Sequence, residues 1–424
     1  MSLPSSPVQH VVVVGGGVVG VCSAYFLARR GVRVTLVERA EIAGREAASF
    51  GNAGLISVGH PPLPGPGLIL RSFKWMFDRR SPLLIVPRAD ASLLRWLWGF
   101  ARACSQRQLD VSMAVIADLS RQTIELFDLF ERDEGVSFEY RRGGYMDVFR
   151  TQEGFAHCQQ EAEYLRRFGF NDYPIDGAEA RRREPALLPG VAGALWHPDS
   201  GFANPGSFVT GAAEAARRHG ATIREHAPVA GFVERGGRVA GVRLANGETI
   251  EADAVVLAAG SWSTGLGKLL GVRTPMQPAK GYHVELEYAP GAGPRMRVAC
   301  SLGEAFVATN PIGGGLRLAG TLEMSGLNFE LRRERLEMLP LQAARYIAGL
   351  DGARVRSEWC GLRPCTADGL PVIGWAPRRP GVFVATGHAM MGFWTGPVTG
   401  KVVAESLLGE KPSVELGPMR VERL

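Results

Sequence analysis

Gly15, Gly17 and Gly20 fall at G-x-G-x-x-G spacing directly after four consecutive valines, Val11 to Val14. Such glycines do separate jobs beside a pyrophosphate. Gly15 allows a tight turn, Gly17 lets backbone approach the phosphates, and Gly20 permits close packing of a helix on a strand. Glu38, eighteen residues after Gly20, ends a second apolar run and is placed to accept hydrogen bonds from ribose hydroxyls. A glycine-rich turn in a nucleotide-free domain would leave Glu38 unexplained. Ser49, Gly51, Asn52 and Gly54 make a second small, polar loop able to lie against a ligand, or an ordinary surface loop. No paired carboxylates or His–Asp arrangement suggests general acid–base chemistry. The six cysteines, at 22, 104, 158, 300, 360 and 365, show no zinc spacing. No metal is expected.

The elements that must hold these residues are legible nearby. Val11 to Val14 suits a strand buried on both faces, Val21 to Arg30 reads as a helix ended by Gly31, and Val32 to Val37 as a second strand. A helix so placed turns free N–H groups and its positive dipole end towards phosphates. A dinucleotide site follows.

At 424 residues, with 46% hydrophobic and 21% charged residues, the chain is expected to form two folded domains. A net charge of +6 and a pI near 9.1 come from scattered arginines, not from the stripe that nucleic-acid binding needs. Unpaired cysteines fit a cytosolic protein. The first residues, MSLPSSPVQH, lack a basic leader region, and the glycines within Val11 to Ala28 argue against a membrane span.

Residues 61–67, PPLPGPG, interrupt regular structure, and 68–104 then concentrate Trp75, Phe77, Trp96, Trp98 and Phe100 among arginines. That stretch reads either as a peripheral membrane contact on the cytoplasmic face of the inner membrane or as helices packed on the body. Leu109 to Glu134 is expected as one long helix, Gly144 to Phe149 as a strand and Thr151 to Phe168 as a helix. A helix from Pro205 to His219, a hairpin across Asn246-Gly247 and a buried strand, Ala254 to Ala259, follow. Val382 to Thr386 is a strand, Gly387 to Gly396 a loop and Pro397 to Leu408 a helix. The expected fold combines α/β and α+β: a Rossmann-like nucleotide-binding domain assembled from 1–60, 188–265 and 355–424, and a mixed-sheet substrate domain from 61–187 and 266–354.

These pieces together resemble the D-amino-acid oxidase superfamily of flavoproteins, and within it the D-amino-acid dehydrogenase branch. The residues that carry the likeness are Gly15 to Gly20, Asn52-Ala53-Gly54, Lys74-Trp75-Met76-Phe77, Lys280-Gly281-Tyr282, Gly361-Leu362-Arg363-Pro364 with Asp368-Gly369, and Gly387-His388.

The resemblance implies FAD at the nucleotide site, in preference to NAD. It implies a cradle of Gly15, Gly17, Val18, Val19, Gly20, Glu38, Arg39, Ser49, Asn52, Ala53, Gly54, Val229, Ala259, Gly260, Trp262, Gly361, Arg363, Gly387, His388, Met390, Met391 and Gly392. Arg363 would bind a substrate carboxylate, Tyr282 would lie near the flavin ring, and His388 would contact the cofactor or transfer a proton. Relatives that hold FAD through a cysteine place it where Gly361 stands, with Cys360 pointing elsewhere on an extended strand, so non-covalent FAD is expected. The implied reaction moves hydride from the Cα of a D-amino acid to flavin N5, and water then releases ammonia and a 2-oxo acid. Electrons would pass to a quinone or another respiratory acceptor. Oxidation of D-proline or D-hydroxyproline, and a flavin subunit inactive without partners, remain as alternatives.

Overall fold

The computed structural model describes residues 8–69 and 82–423. The Lys74-Trp75-Met76-Phe77 marker and Arg79 and Arg80 lie outside the described residues.

The four valines occupy the strand His10–Val14, every residue of which is buried. It runs between Arg33–Val37 and Ala254–Leu257, parallel to both. Thr222–Arg224 extends this sheet beyond Arg33–Val37, and Val382–Thr386 followed by the antiparallel Val372–Trp375 extends it beyond Ala254–Leu257. A parallel strand covered on both faces needs an unbroken apolar run, and HVVVV supplies one.

The helix after the glycine motif spans Val18–Ala28 and is buried along its whole length. It starts earlier than the expected Val21 because Gly17, in extended conformation, already serves as its N-cap. A helix apolar all round must be enclosed. Pro205–Arg218 and Gly392–Leu407 enclose it. A Cβ at Gly396 would come within 2.5 Å of Val18 Cγ2, and one at Gly400 within 2.5 Å of the Cys22 backbone. Two glycines thus let the helices touch. This contact draws the last helix back to Gly392, with Pro397 inside it, so the expected loop to Gly396 shrinks to Gly387–Met391.

The second sheet has nine strands. Its order is Arg354–Thr366, Met276–Glu287, Leu316–Met324, Val307–Asn310, Cys300–Leu302, Tyr145–Phe149, Gly193–His197 and Tyr173–Asp176; Leu83–Ile85 pairs alongside Leu316–Met324. Gly193–His197 and Arg354–Thr366, which the sequence division puts largely with the nucleotide-binding part, run in this sheet, paired with Tyr145–Phe149 and Met276–Glu287. The hairpin across Asn246-Gly247 forms as expected, between Arg238–Leu244 and Thr249–Glu251.

The expected helix from Leu109 to Glu134 is broken. It is Gln106–Ser120, then Thr123–Asp128, then a wide turn at Leu129–Asp133. At the break, Thr123 Oγ1 donates to the Leu119 carbonyl at 3.2 Å, the side-chain back-bonding that bends helices.

Candidate functional site

A cavity of about 370 Å³ opens at the carboxyl ends of His10–Val14, Ala254–Leu257 and Val382–Thr386. That is where open α/β sheets bind ligands. Gly15, Gly17, Val18, Val19, Glu38, Arg39, Ser49, Asn52, Val229, Ala259, Gly260, Trp262, Arg363, Gly387, His388, Met390 and Gly392 all line it. Gly15 sits at φ +113°, and a Cβ there would come 2.5 Å from the Ala258 carbonyl oxygen. The Glu38 carboxylate accepts from Gly16 N at 2.7 Å and from Ala40 N at 3.0 Å, which anchors the glycine turn and leaves lone pairs facing the cavity. Ser49 Oγ accepts from Val18 N at 3.0 Å. The helix Val18–Ala28 has no acidic residue in its first turn and no side-chain cap at Gly17. Its remaining N–H groups and dipole therefore favour an anion. At one wall the Arg39 guanidinium lies 3.9 Å over the Trp262 ring. These residues fit a dinucleotide diphosphate.

Arg363 enters the same cavity from the second sheet. Its Nη1 donates to the Thr321 carbonyl at 3.0 Å, and no carboxylate pairs with it among the described residues. Burial pulls its pKa below the guanidinium's ordinary value. A Cβ at Gly281, on the neighbouring strand, would fall 2.2 to 2.4 Å from Nη1, Nη2 and Cζ of Arg363. The guanidinium thus lies across the bare Cα of Gly281.

His388 lines the cavity, but its Nε2 shares a hydrogen bond with Thr399 Oγ1 at 3.0 Å and the side chain is buried. Burial pushes its pKa down to about 3. A group so far below neutrality is a poor base, which argues against proton transfer.

Six of the expected site residues do not line the cavity. Tyr282 is buried on the opposite face of its strand, and its hydroxyl donates to Glu323 Oε2 at 2.7 Å. Strand alternation turns Gly281 to the face on which the Arg363 guanidinium lies and Tyr282 to the other. Gly361 is covered by the Trp359 indole, which occupies the space a Cβ would take. Gly20 faces the Gly15 carbonyl, 1.8 Å from where its Cβ would be, and serves packing. Ala53 and Gly54 tie the loop down: Asn310 Nδ2, from the second sheet, donates to the Ala53 carbonyl at 2.8 Å, and Ala203 N to that of Gly54 at 2.8 Å. Met391 is buried beneath the loop, its N–H donating to the His388 carbonyl at 2.8 Å. Cys360 also points away, its thiol donating to the Phe329 carbonyl at 3.4 Å.

Sequence reasoning missed Leu362, Thr386 and Phe393 among the lining residues, and Gly281 beneath Arg363. Only Gly281 carried a signal, since an isolated glycine in a strand pattern marks a close approach.

The family model described as FAD dependent oxidoreductase matches residues 10–406. The chain belongs to this family. It is 33% identical over 425 residues to a D-amino acid dehydrogenase of Xanthobacter autotrophicus, covering 98% of this chain and 99% of the relative. A D-amino acid dehydrogenase of Agrobacterium fabrum is 30% identical over 420 residues, covering 98% and 99%. Among solved structures, glycine oxidase from Geobacillus kaustophilus has the same fold, with a TM-score of 0.76 at 23% identity over 98% of this chain and 99% of that one. The protein is therefore an FAD-dependent oxidoreductase.

The start of the helix Val18–Ala28 would hold the diphosphate of FAD, and Glu38 the ribose. Glu38→Ala is expected to weaken FAD retention, removing charge-assisted hydrogen bonds worth roughly 1.5–3 kcal/mol and freeing the Gly16 turn. Flavin absorbance per protein after extensive dialysis measures this; full occupancy would exclude the ribose role.

Proposed function

We propose that this protein oxidises D-amino acids to 2-oxo acids and ammonia, holding FAD non-covalently and passing electrons to a quinone or another acceptor. One observation carries the reading: the half-buried guanidinium of Arg363, without an acidic partner among the described residues, faces the cofactor cavity. Such a group is completed by a ligand carboxylate, which its planar fork binds in one orientation. The names of the relatives supply the amino-acid class.

Bound FAD supplies the two-electron acceptor for hydride leaving Cα. Arg363 fixes the carboxylate, and so the direction in which Cα is presented. With His388 held neutral and no carboxylate paired with Arg363 among the described residues, the amine binds deprotonated in this reading, and the site needs no general base. The start of Gly392–Leu407, which has no side-chain cap, would supply N–H groups to stabilise negative charge on bound flavin. Cys360, on the far face, supports non-covalent attachment. The division into a nucleotide-binding part (1–60, 188–265, 355–424) and a substrate part (61–187, 266–354) is kept in this reading, with the strands Gly193–His197 and Arg354–Thr366 assigned by their sheet to the second.

The test is anaerobic bleaching of the purified yellow protein by a panel of D-amino, L-amino and N-methyl amino acids, with D-proline and D-hydroxyproline included. Reduction by D-amino acids alone is expected. Reduction only by the cyclic imino acids would move the substrate class, and no reduction without added partner proteins would favour the subunit alternative.

A peripheral membrane contact finds support in the helix Ala91–Ala103. One face packs inward, with Leu93 and Trp96 buried and Trp96 Nε1 donating to the Cys365 carbonyl at 2.8 Å. The other presents Leu94, 66% exposed, and Trp98, 65% exposed, beside Arg95 and Arg102, whose guanidinium lies 4.6 Å over the Trp98 ring. An amphipathic rim of this kind suits anionic lipid headgroups. Co-sedimentation with phosphatidylglycerol vesicles is expected at low salt, weakened by added salt and by Leu94→Ser with Trp98→Ser. No binding at low salt would leave this face simply solvated.

A further inference from the structure

Three irregularities meet at Gly281. On one side it pairs with Gly361, and the guanidinium of Arg363 lies over it. On the other, the pairing with Leu316–Met324 slips. Lys280 is opposite Glu323 and Tyr282 opposite Gly320, so the single residue Gly281 faces both Thr321 and Leu322. This is a β-bulge, and bulges re-aim groups beside active sites.

The bulged residue is costly. Thr321 takes φ +63°, unusual for a β-branched side chain, and its hydroxyl is buried without a hydrogen-bond partner among the described residues. Strain of this kind persists only where the surroundings over-determine it. What the conformation achieves is visible: the Thr321 carbonyl accepts from Arg363 Nη1 at 3.0 Å.

The over-determination lies on the opposite face of the sheet. Glu323, 0% exposed, accepts from Lys280 Nζ at 3.0 Å and from the Tyr282 hydroxyl at 2.7 Å. Lys280 and Tyr282 flank Gly281, so one carboxylate ties together both ends of the bulge. Lys280 spends its other donors on Asn328 Oδ1 at 2.7 Å and the Glu330 carbonyl at 2.9 Å. Arg332 Nε reaches Glu323 Oε1 at 3.2 Å, and Arg335, also buried, lies 3.8 Å from Oε2. A buried ion cluster contributes little net stability over an apolar core, and fixing one geometry is its better-attested use.

We propose that Glu323, with Lys280 and Tyr282, is a positioning device that clamps the Thr321 bulge and thereby sets the orientation of the Arg363 guanidinium. The proposal rests on the reading that Arg363 binds the substrate carboxylate. Tyr282 thus belongs to the site through the arginine, without touching substrate or cofactor.

The experiment uses the FAD-loaded protein and the variants Tyr282→Phe, Glu323→Gln and Arg363→Ala, singly and with each of the first two combined with the third. Flavin absorbance is titrated with benzoate, a non-reactive carboxylate, and with benzamide, its neutral counterpart. Anaerobic reduction by the preferred amino acid is followed in parallel. Tyr282→Phe keeps the ring and removes one hydrogen bond, so benzoate affinity should fall about five-fold, and further in Glu323→Gln. Benzamide affinity should stay within about two-fold, because general loosening would affect both probes alike. In the Arg363→Ala background both substitutions should be silent, as expected for residues acting through one group. If Arg363→Ala loses benzoate binding while Tyr282→Phe and Glu323→Gln do not, the positioning role is wrong and the arginine's role stands. Equal losses for benzoate and benzamide, or full additivity with Arg363→Ala, would also overturn it. Wild-type benzoate binding and reduction in Arg363→Ala would overturn both. Should Glu323→Gln fail to fold, Tyr282→Phe decides alone.

Discussion

Arg363→Ala is expected to lower kcat/KM for the amino-acid substrate by roughly thirty- to several-thousand-fold, the equivalent of about 2–5 kcal/mol for leaving a buried charge without its partner. The arginine's own surroundings set the size of the effect. Its hydrogen-bond partner among the described residues is a neutral carbonyl, that of Thr321, so the substrate carboxylate would supply its counter-charge. Arg363→Lys should recover only part of the loss, since an ammonium restores charge but cannot lie flat over Gly281 or bind with a fork. Flavin should stay bound in both variants, because the cradle around Gly15, Gly17, Val18 and Glu38 is built on the other sheet. Anaerobic flavin reduction against substrate concentration separates affinity from rate. Near-wild-type values in the alanine variant would remove the main support for a carboxylate substrate.

What could be read from the sequence was local. The strand His10–Val14, the glycine turn and the acid at position 38 follow one another within a single unit, and each is specified by its neighbours' shapes. The start of the last helix was misplaced because Pro397 reads as a first helical residue. What carries the helix back to Gly392 is contact with Val18 and Cys22 from the other end of the chain. The broken helix after residue 106 has the same origin, a tertiary fit that apolar periodicity does not encode.

The substrate side was legible as residue types but not as directions. Period-two alternation guarantees that Gly281 and Tyr282 point to opposite faces, yet it does not say which face meets the cavity. That depends on the helix Arg333–Ala343 and on Glu323, which claim Lys280 and Tyr282 for the far side. The bulge at Thr321 was invisible for the same reason, since a register slip belongs to a pair of strands and not to either one.

Gly281→Ala tests the arrangement by geometry instead of charge. The added methyl would stand 2.2 Å from Arg363 Nη1, 2.3 Å from Nη2 and 2.4 Å from Cζ, so one group must move. The group that gives way is the far end of a flexible side chain, and the strand itself can stay in place. The variant should therefore fold, keep its flavin and unfold near the wild-type temperature. This sets it apart from Gly20→Ala, whose methyl would meet the Gly15 backbone oxygen at 1.8 Å with nothing flexible to yield. Catalysis should suffer where stability does not. Displacing the guanidinium by about 1 Å misdirects the carboxylate and with it Cα, which costs on the order of a hundred-fold in kcat/KM. Thermal unfolding followed by flavin fluorescence, together with anaerobic reduction kinetics, gives both quantities on one preparation. A stable, yellow Gly281→Ala protein that binds and oxidises its substrate like the wild type would mean that the guanidinium does not need its place over the bare Cα, and that Arg363 reaches the carboxylate from some other position.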